Sequence, residues 1–448
     1  MFHSDNAYYL PNVRITSYRC KTNTVSNTAF RGFGGPQGIM GIERVIDAIA
    51  HHLKMDPLEV RKANLYGIGK RNITPYTMKV KDNVLDALIT ELEVSSDYRR
   101  RREQILAFNQ SSPIIRKGIA LTPAKFGISF TTTFLNQAGA LVHVYKDGSV
   151  HLNHGGTEMG QGLMIKIAQV VADEFQIDLD KVKITATNTG KVPNTSATAA
   201  SAGTDMNGMA ARAAVRKIKR RMVKFIAKKF SVSQAEITFI NNRVMAGEIE
   251  LSFSELAELA WLGRISLSAT GFYRTPKINY DPQTTTGRPF LYFAYGAAVS
   301  ELELDCLTGE SRITRVDILY DAGKSLNPAI DIGQIEGGFI QGAGWLTSEE
   351  LWWDSKGHLR THAPSTYKIP TCGDMPEIFN VNIWHKGKNR EKTIYRSKAV
   401  GEPPLMLAIS VHSAINQAIA GKLETNTLPS LDAPATPETI LNCLYSLQ

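Results

Sequence analysis

Ser397-Lys398-Ala399-Val400-Gly401-Glu402-Pro403-Pro404 sets one carboxylate between a glycine and two prolines. Consecutive prolines fix φ and remove two backbone donors, so they open a helix rather than continue one, and Glu402 is presented at its mouth. Residues 405–419 follow with apolar positions at Ala408, Val411, Ile415 and Ile419, which predicts that helix. Taken alone, Glu402 reads as a cap or dipole partner for the helix. Only the rest of the chain can give it another role.

The chain has 448 residues, 43% of them hydrophobic, enough for a large core and two or more domain-sized units. Its 35 glycines point to tight turns and to places where backbone approaches a ligand closely. No apolar run reaches the length of a membrane span and no signal peptide precedes the first polar residues, which predicts a soluble cytoplasmic protein with no membrane partner. Cys20, Cys306, Cys372 and Cys443 lie far apart without a CxxC pair, so no zinc or iron–sulfur site ligated by this chain is expected. The net charge of +9 is concentrated in the arginine run 99–102 and in residues 212–229, a basic helix with Val215, Ile218, Met222 and Ile226 as its apolar face. Solvated helix faces account for both, and no aromatic residues interleave with the charges, so no nucleic-acid partner is expected.

Met1-Phe2-His3-Ser4-Asp5-Asn6 runs straight into strand-like and turn-like sequence, as though the chain began partway through a fold. A loop at residues 26–38, containing Phe30-Arg31-Gly32-Phe33-Gly34-Gly35-Pro36, precedes a helix with apolar positions at Ile39, Ile42, Ile46, Ile49 and Leu53. It matches a dinucleotide fingerprint poorly, because no hydrophobic strand leads in and no acidic ribose partner follows. Its small residues would let a ligand touch backbone, with Arg31 and Phe33 projecting as donor and apolar wall. A tight turn that buries Phe30 and Phe33 is the other reading. Asp56-Pro57-Leu58-Glu59 predicts a capped second helix, and residues 81–110 read as further helix. Asn109-Gln110-Ser111-Ser112-Pro113 reads as a linker and sets a domain boundary between 1–112 and 113–448.

Beyond it the period becomes strand-like. Residues 138–152 alternate around the hairpin signal Lys146-Asp147-Gly148-Ser149. Then Gly155-Gly156-Thr157-Glu158-Met159-Gly160-Gln161-Gly162 opens a helix with apolar Leu163, Ile167, Val170, Val171 and Phe175. Strand, glycine loop and helix together suit phosphate binding by backbone N–H groups, and the Gln161 amide suits a ligand oxygen. His154 reads as a structural histidine, since no second ligand stands at chelating spacing. A strand over 182–187 leads into a run of small residues at 194–205, where something bulky must approach. Strands near 297–304 and 313–319 precede a helix carrying Gln334, Ile335, Gly337, Gly338, Gln341 and Gly342. So many backbone-lined loops predict one extended polar ligand.

Three of these stretches together, Thr28 to Gln37, Gly155 to Gly162 and Ala399 to Pro404, closely resemble the molybdenum-binding part of the xanthine dehydrogenase and aldehyde oxidase family. Gly271-Phe272-Tyr273-Arg274-Thr275-Pro276, Ser325-Leu326-Asn327-Pro328 and Pro364-Ser365-Thr366-Tyr367-Lys368-Ile369-Pro370 extend the likeness, in order, over nearly the whole chain. The resemblance implies an α+β fold of mixed sheets with flanking helices, in which 1–112 is the remainder of a first molybdopterin-binding subdomain and 113–448 a second one carrying the catalytic glutamate. It implies molybdenum held by the dithiolene of molybdopterin and by no protein ligand. Arg31, Gln161, Ala199, Ala200, Ser201 and Gln334 would contact this cofactor. Phe33 and Phe130 would sandwich a planar purine substrate, with Thr131 and Leu135 beside them. Glu402 would be the general base that takes a proton from the molybdenum-bound hydroxyl.

By the same resemblance, the activity is hydroxylation of hypoxanthine and xanthine to urate in purine catabolism. Electrons would leave through 2Fe-2S clusters and FAD, held in other subunits or regions, to NAD. A preceding half of the molybdenum portion would supply a further glutamine, a Phe-Gly segment, and a Glu and an Arg that grip the purine edge. The complete enzyme would be a homodimer or heterotetramer. An aldehyde or N-heterocycle oxidase of the same family, and a cofactor-free fragment acting only as an assembly partner, are the alternatives.

Overall fold

The computed structural model describes residues 1–192, 194–423 and 427–445. Four helices come first: α1 (Gly35–Leu53), α2 (Pro57–Asn64), α3 (Leu85–Ser95) and α4 (Tyr98–Ser111). α2 starts as its sequence predicts, with Pro57 in the first turn and Asp56 accepting from the Leu58 N–H at 2.9 Å. The single helix expected over 81–110 is instead the pair α3 and α4, because Asp97 turns the chain at φ 55°. The turn buries Tyr98, whose hydroxyl donates to Asp56 at 2.9 Å.

Buried ion pairing changes the expected face of α1 and takes one residue out of the expected solvated face of α4. On α1, Ile49 and Leu53 face solvent while Glu43 and Asp47 are buried. Arg61 donates to Glu43 at 2.8 Å and to Asp47 at 2.7 Å, and Tyr8 and Asn6 fill the other Glu43 oxygen at 2.6 and 2.7 Å. A closed hydrogen-bonded cluster tolerates a burial that isolated charges do not. In the arginine run on α4, Arg99 and Arg100 are exposed as expected, but Arg101 is buried, donating to Glu301 and to Asp317 at 2.8 Å each through Nε and Nη1.

The chain continues through β1 (Ile115–Ile128), β2 (Gln137–Val144), β3 (Val150–His154), α5 (Leu163–Phe175), β4 (Val182–Ile184) and α6 (Gly203–Phe230). A meander of β5 (Ile237–Ile240), β6 (Arg243–Ala246) and β7 (Ile249–Ser252) precedes α7 (Phe253–Leu262) and β8 (Ser268–Arg274). The expected hairpin at 146–149 joins β2 to β3, within a sheet ordered β4-β3-β2-β8. β4 pairs parallel and the rest antiparallel. α6 lies across β2 and β8, with Val215, Ile218, Met222 and Ile226 fully buried as their spacing predicts.

A small hairpin of β9 (Asn279–Asp281) and β10 (Thr286–Arg288) leads to β11 (Tyr292–Asp305), β12 (Ser311–Asp321), α8 (Pro328–Thr347), β13 (Ile378–Ile383), α9 (Ile409–Leu423) and α10 (Pro437–Tyr445). The second large sheet is ordered β1-β11-β12-β13, with β13 parallel to β12. Side chains of β11 alternate between two cores: Tyr292, Ala294 and Ala298 face one, and Phe293, Tyr295, Ala297 and Val299 face the other with α3. The fold is thus α+β with mixed sheets and helices on their faces.

The helix expected over 405–419 begins as a 3-10 turn, Pro403–Ala408, and becomes α9 only at Ile409. It has no single apolar stripe. Residues 403–416 are buried without exception, because the segment runs between α8 and the β1-β11 sheet. Among the described residues no helix is long and apolar enough to cross a membrane.

Candidate active site

α8 is the ridge on which the site is assembled. Asn327 caps it, accepting from the Ile330 N–H at 3.1 Å. Ile330, Gln334, Gly338 and Gly342 follow at four-residue intervals and so share a face about 18 Å long. Each meets a different part of the chain. Ile330 packs on the glycine loop, where a Cβ at Gly162 would come within 2.8 Å of it. The Gln334 carbonyl accepts from Arg31 Nη2 at 3.4 Å. A Cβ at Gly338 would lie 2.7 Å from Pro404 and 2.9 Å from Arg31, and one at Gly342 only 2.2 Å from the Leu405 carbonyl oxygen. Glycine at these two positions lets the 3-10 turn that follows Glu402 lie directly on the helix backbone.

Glu402 does not cap its own helix. Its carboxylate reaches across the fold, with Oε2 accepting from the Ser201 hydroxyl at 2.8 Å and Oε1 from the Gly32 N–H at 3.3 Å. Ser201 Oγ also accepts from the Glu402 N–H at 2.8 Å. Arg31 stands alongside, donating from Nε to the Gly401 carbonyl at 2.6 Å and from Nη1 to Gln341 at 3.1 Å. Burial pushes the Glu402 carboxyl above its ordinary range, and Ser201, Gly32 and Arg31 pull it back without cancelling the rise. Burial also lowers the Arg31 guanidinium, against the pull of Tyr320 and Glu402.

The glycine loop differs from its expected use. Its N–H groups do not stand open for a phosphate, because the Glu158 carboxylate turns back and accepts from Gly160 at 3.0 Å, Gly162 at 2.9 Å and Met164 at 2.9 Å. Burial works against that charge, yet these N–H groups hold Glu158 below the ordinary glutamate range. The Gln161 amide is also engaged within the loop, accepting from the Met159 N–H at 2.5 Å and donating to the Thr157 carbonyl at 2.8 Å. A glutamate just ahead of a helix start, with free N–H groups two to six residues on, is the capping signal that could have shown this in the sequence. His154 accepts from the Gly156 N–H at 3.0 Å, and burial pushes it down to about 4.

The loops converge through further contacts. The Thr157 N–H donates to Thr198 at 2.8 Å, which ties the glycine loop to the small-residue run. There Ala200 and Ser201 take positive φ of 54° and 53°, turning Ser201 toward Glu402. Glu402, Ser201, Arg31 and Gln334 are therefore in direct or shared hydrogen-bonded contact, with Ala199 and Ala200 adjoining Ser201 in the chain. Phe33 is 79% exposed at the tip of its loop, so the reading that buries it in a tight turn fails. Phe130 is half-buried, its backbone N–H and C=O both bonded to the Asn136 side chain at 2.8 Å. Thr131 and Leu135 are half-buried in the same turn. Neither Phe33 nor Phe130 pairs with another ring among the described residues. Gln341, named on this helix in the sequence but given no role there, lies seven residues, two helical turns, beyond Gln334 and accepts from Arg31.

Among the described residues no group of three or more His, Cys, Asp or Glu could hold a metal ion. The residues do fit a planar group bound through backbone. Gly34, Gly160, Gly333 and Gly337, drawn from the Arg31 loop, the glycine loop and α8, face open space, where a Cβ would meet nothing within 4 Å. Gly34 lies three residues from Arg31 in the chain, and Ala199 and Ala200 adjoin Ser201, so these parts of the site carry no large side chain.

Comparison with known proteins agrees. Family models described as molybdopterin cofactor-binding domain match residues 1–65 and 91–376. The chain is 47% identical to xanthine dehydrogenase/oxidase of Felis catus over 99% of its length and 32% of the relative's. It is 45% identical to xanthine dehydrogenase of Dictyostelium discoideum, again over 99% of this chain and 32% of the relative. The chain thus spans about a third of the length of the curated relatives it matches. Among solved structures, the aldehyde oxidoreductase of Desulfovibrio gigas superposes with a TM-score of 0.77 at 23% identity, covering 99% of this chain and 44% of that one. The CO dehydrogenase of Oligotropha carboxidovorans gives 0.80 at 21%, covering 94% and 52%. These two show the shared fold. The chain belongs to the family of molybdopterin cofactor-binding domains.

Proposed function

We propose that the chain is the later part of the molybdenum portion of a cytoplasmic purine hydroxylase, oxidising hypoxanthine and xanthine to urate. The observation that carries this reading is the Glu402 carboxylate, buried, raised in pKa and held off its own helix by Ser201 and Gly32. A carboxylate with a raised pKa is a better proton acceptor near neutral pH than an exposed one. Residues 1–112 complete a first molybdopterin-binding subdomain and 113–448 form the second.

In this reading, Arg31, Gln161, Ala199, Ala200, Ser201 and Gln334 hold molybdopterin, which supplies the two-electron oxidation when bound. Phe33 and Phe130, with Thr131 and Leu135, orient a flat substrate by its faces. Glu402 takes up one proton at a carboxylate oxygen, and Ser201 keeps that oxygen aimed. Iron–sulfur and FAD regions and the preceding half of the molybdenum portion complete the enzyme, as a homodimer or heterotetramer. The 47% identity to xanthine dehydrogenase/oxidase across nearly the whole chain favours purines over aldehydes.

The test is Glu402→Gln in the complete enzyme, assayed with xanthine and with an aldehyde. The amide cannot accept the proton, so turnover is expected to fall by about 100-fold or more with cofactor content unchanged. Near-normal turnover would refute the base, and a preference for the aldehyde in the parent enzyme would refute the substrate.

A further inference from the structure

We propose that Tyr292 and Tyr320 clamp the segment that carries Glu402, with Asp205 orienting the clamp; this rests on the reading of Glu402 as the base. Ala399 lies three residues before Glu402. The Tyr292 hydroxyl accepts from its N–H at 3.0 Å, and the Tyr320 hydroxyl donates to its carbonyl at 2.7 Å. Both backbone groups of one residue are thus held by side chains, one from β11 and one from β12. Tyr292 is 2% exposed and Tyr320 0% exposed.

Asp205 gives the arrangement a direction. Its Oδ2 accepts the Tyr292 proton at 2.7 Å, which leaves a phenol lone pair to face the Ala399 N–H. Asp205 stands in the first turn of α6, four residues after Ser201. The start of α6 and the residues just ahead of it therefore grip the segment twice, through Ser201 at the Glu402 carboxylate and N–H and through Asp205 and Tyr292 at Ala399.

Gly401 lies between the two grips. A Cβ there would lie 2.9 Å from Ser201 Oγ, so the bond between Ser201 and Glu402 requires glycine. Glycine places two soft torsions directly before the base. Arg31 holds the Gly401 carbonyl and Ser201 the Glu402 N–H, and the hold on Ala399 fixes the other end of the same short segment, so that Glu402 is set from both sides of the glycine. Positioning within fractions of an ångström is what proton transfer demands.

The test uses Tyr292→Phe and Tyr320→Phe in the complete enzyme, each removing one oxygen and keeping the ring. Each is expected to lower kcat about tenfold with KM within twofold and molybdenum content unchanged. Backbone hydrogen exchange in a peptide covering residues 397–402 should rise at least tenfold in both. Unchanged exchange, or a fall in kcat matched by loss of molybdenum, would overturn the clamp. Should one variant fail to fold, the other carries the same test. The exchange readout does not depend on substrate or reaction, so normal turnover in Glu402→Gln with raised exchange in the tyrosine variants would remove the base and leave the clamp.

Discussion

Ser201 Oγ lies 2.8 Å from a carboxylate oxygen of Glu402 and 2.8 Å from its backbone nitrogen, donating to the first and accepting from the second. One hydroxyl thus ties side chain to backbone in a residue 201 positions away. The donated bond favours the charged carboxylate and opposes the effect of burial.

Ser201→Ala removes that donor, so the Glu402 pKa rises further and the proposed base is protonated to a higher pH. The acid limb of the kcat profile in the complete enzyme is expected to move to higher pH. At the acid end kcat should fall about tenfold, the scale of one hydrogen bond to a charged group. A limb left in place would mean that Ser201 does not act on the titrating group.

Asp205 offers a stability measurement. Burial raises its carboxyl to about 7, with Tyr292 and the Ile394 N–H pulling the other way. A carboxyl raised in the folded state makes the fold bind protons more tightly than the unfolded chain does. Stability from this group is therefore present at low pH and is lost as pH climbs from the ordinary value toward 7, by at most about 1.4 kcal/mol per pH unit. Asp205→Asn lacks this loss. Thermal melts across pH 4 to 8 should show the stability of the native chain, relative to the variant, declining with pH.

α8 supplies a pair of substitutions of opposite sign. Gly342→Ala drives a Cβ to 2.2 Å from the Leu405 carbonyl oxygen, a backbone clash expected to destabilise by about 1–3 kcal/mol. Gly337→Ala meets nothing within 4 Å and should stabilise by up to about 1 kcal/mol through helix propensity. Chemical denaturation of the two variants side by side checks both.

Arg61→Ala leaves Glu43 and Asp47 buried without their cation. The expected loss is about 3–5 kcal/mol, read as a fall in denaturation midpoint. A small loss would mean that water or Tyr8 and Asn6 suffice to hold both carboxylates.

The features that were legible are those decided within a turn or two of chain. The Asp56 cap, the hairpin at 146–149 and the apolar spacing of α6 depend on residues that are neighbours in sequence, and each forms as read. The glycine loop at 155–162 is equally local but differs from its reading, because its glycines suggest an open anion site where Glu158 supplies the anion itself. The face of α1 and the burial of Arg101 on α4 were not legible, because Arg61 and Arg101 find acids on other elements.

By itself the sequence determined that Glu402 stands at a helix mouth, since two prolines permit little else, and its motifs pointed to the family. It could not determine whether that carboxylate caps a helix or bonds to loops far off in the chain. That depends on contacts between residues up to 370 positions apart, which exist only after α8 draws the Arg31 loop, the small-residue run and the Glu402 turn together. Local sequence restricts torsions, whereas the protonation and direction of a buried side chain follow from whatever the fold packs against it.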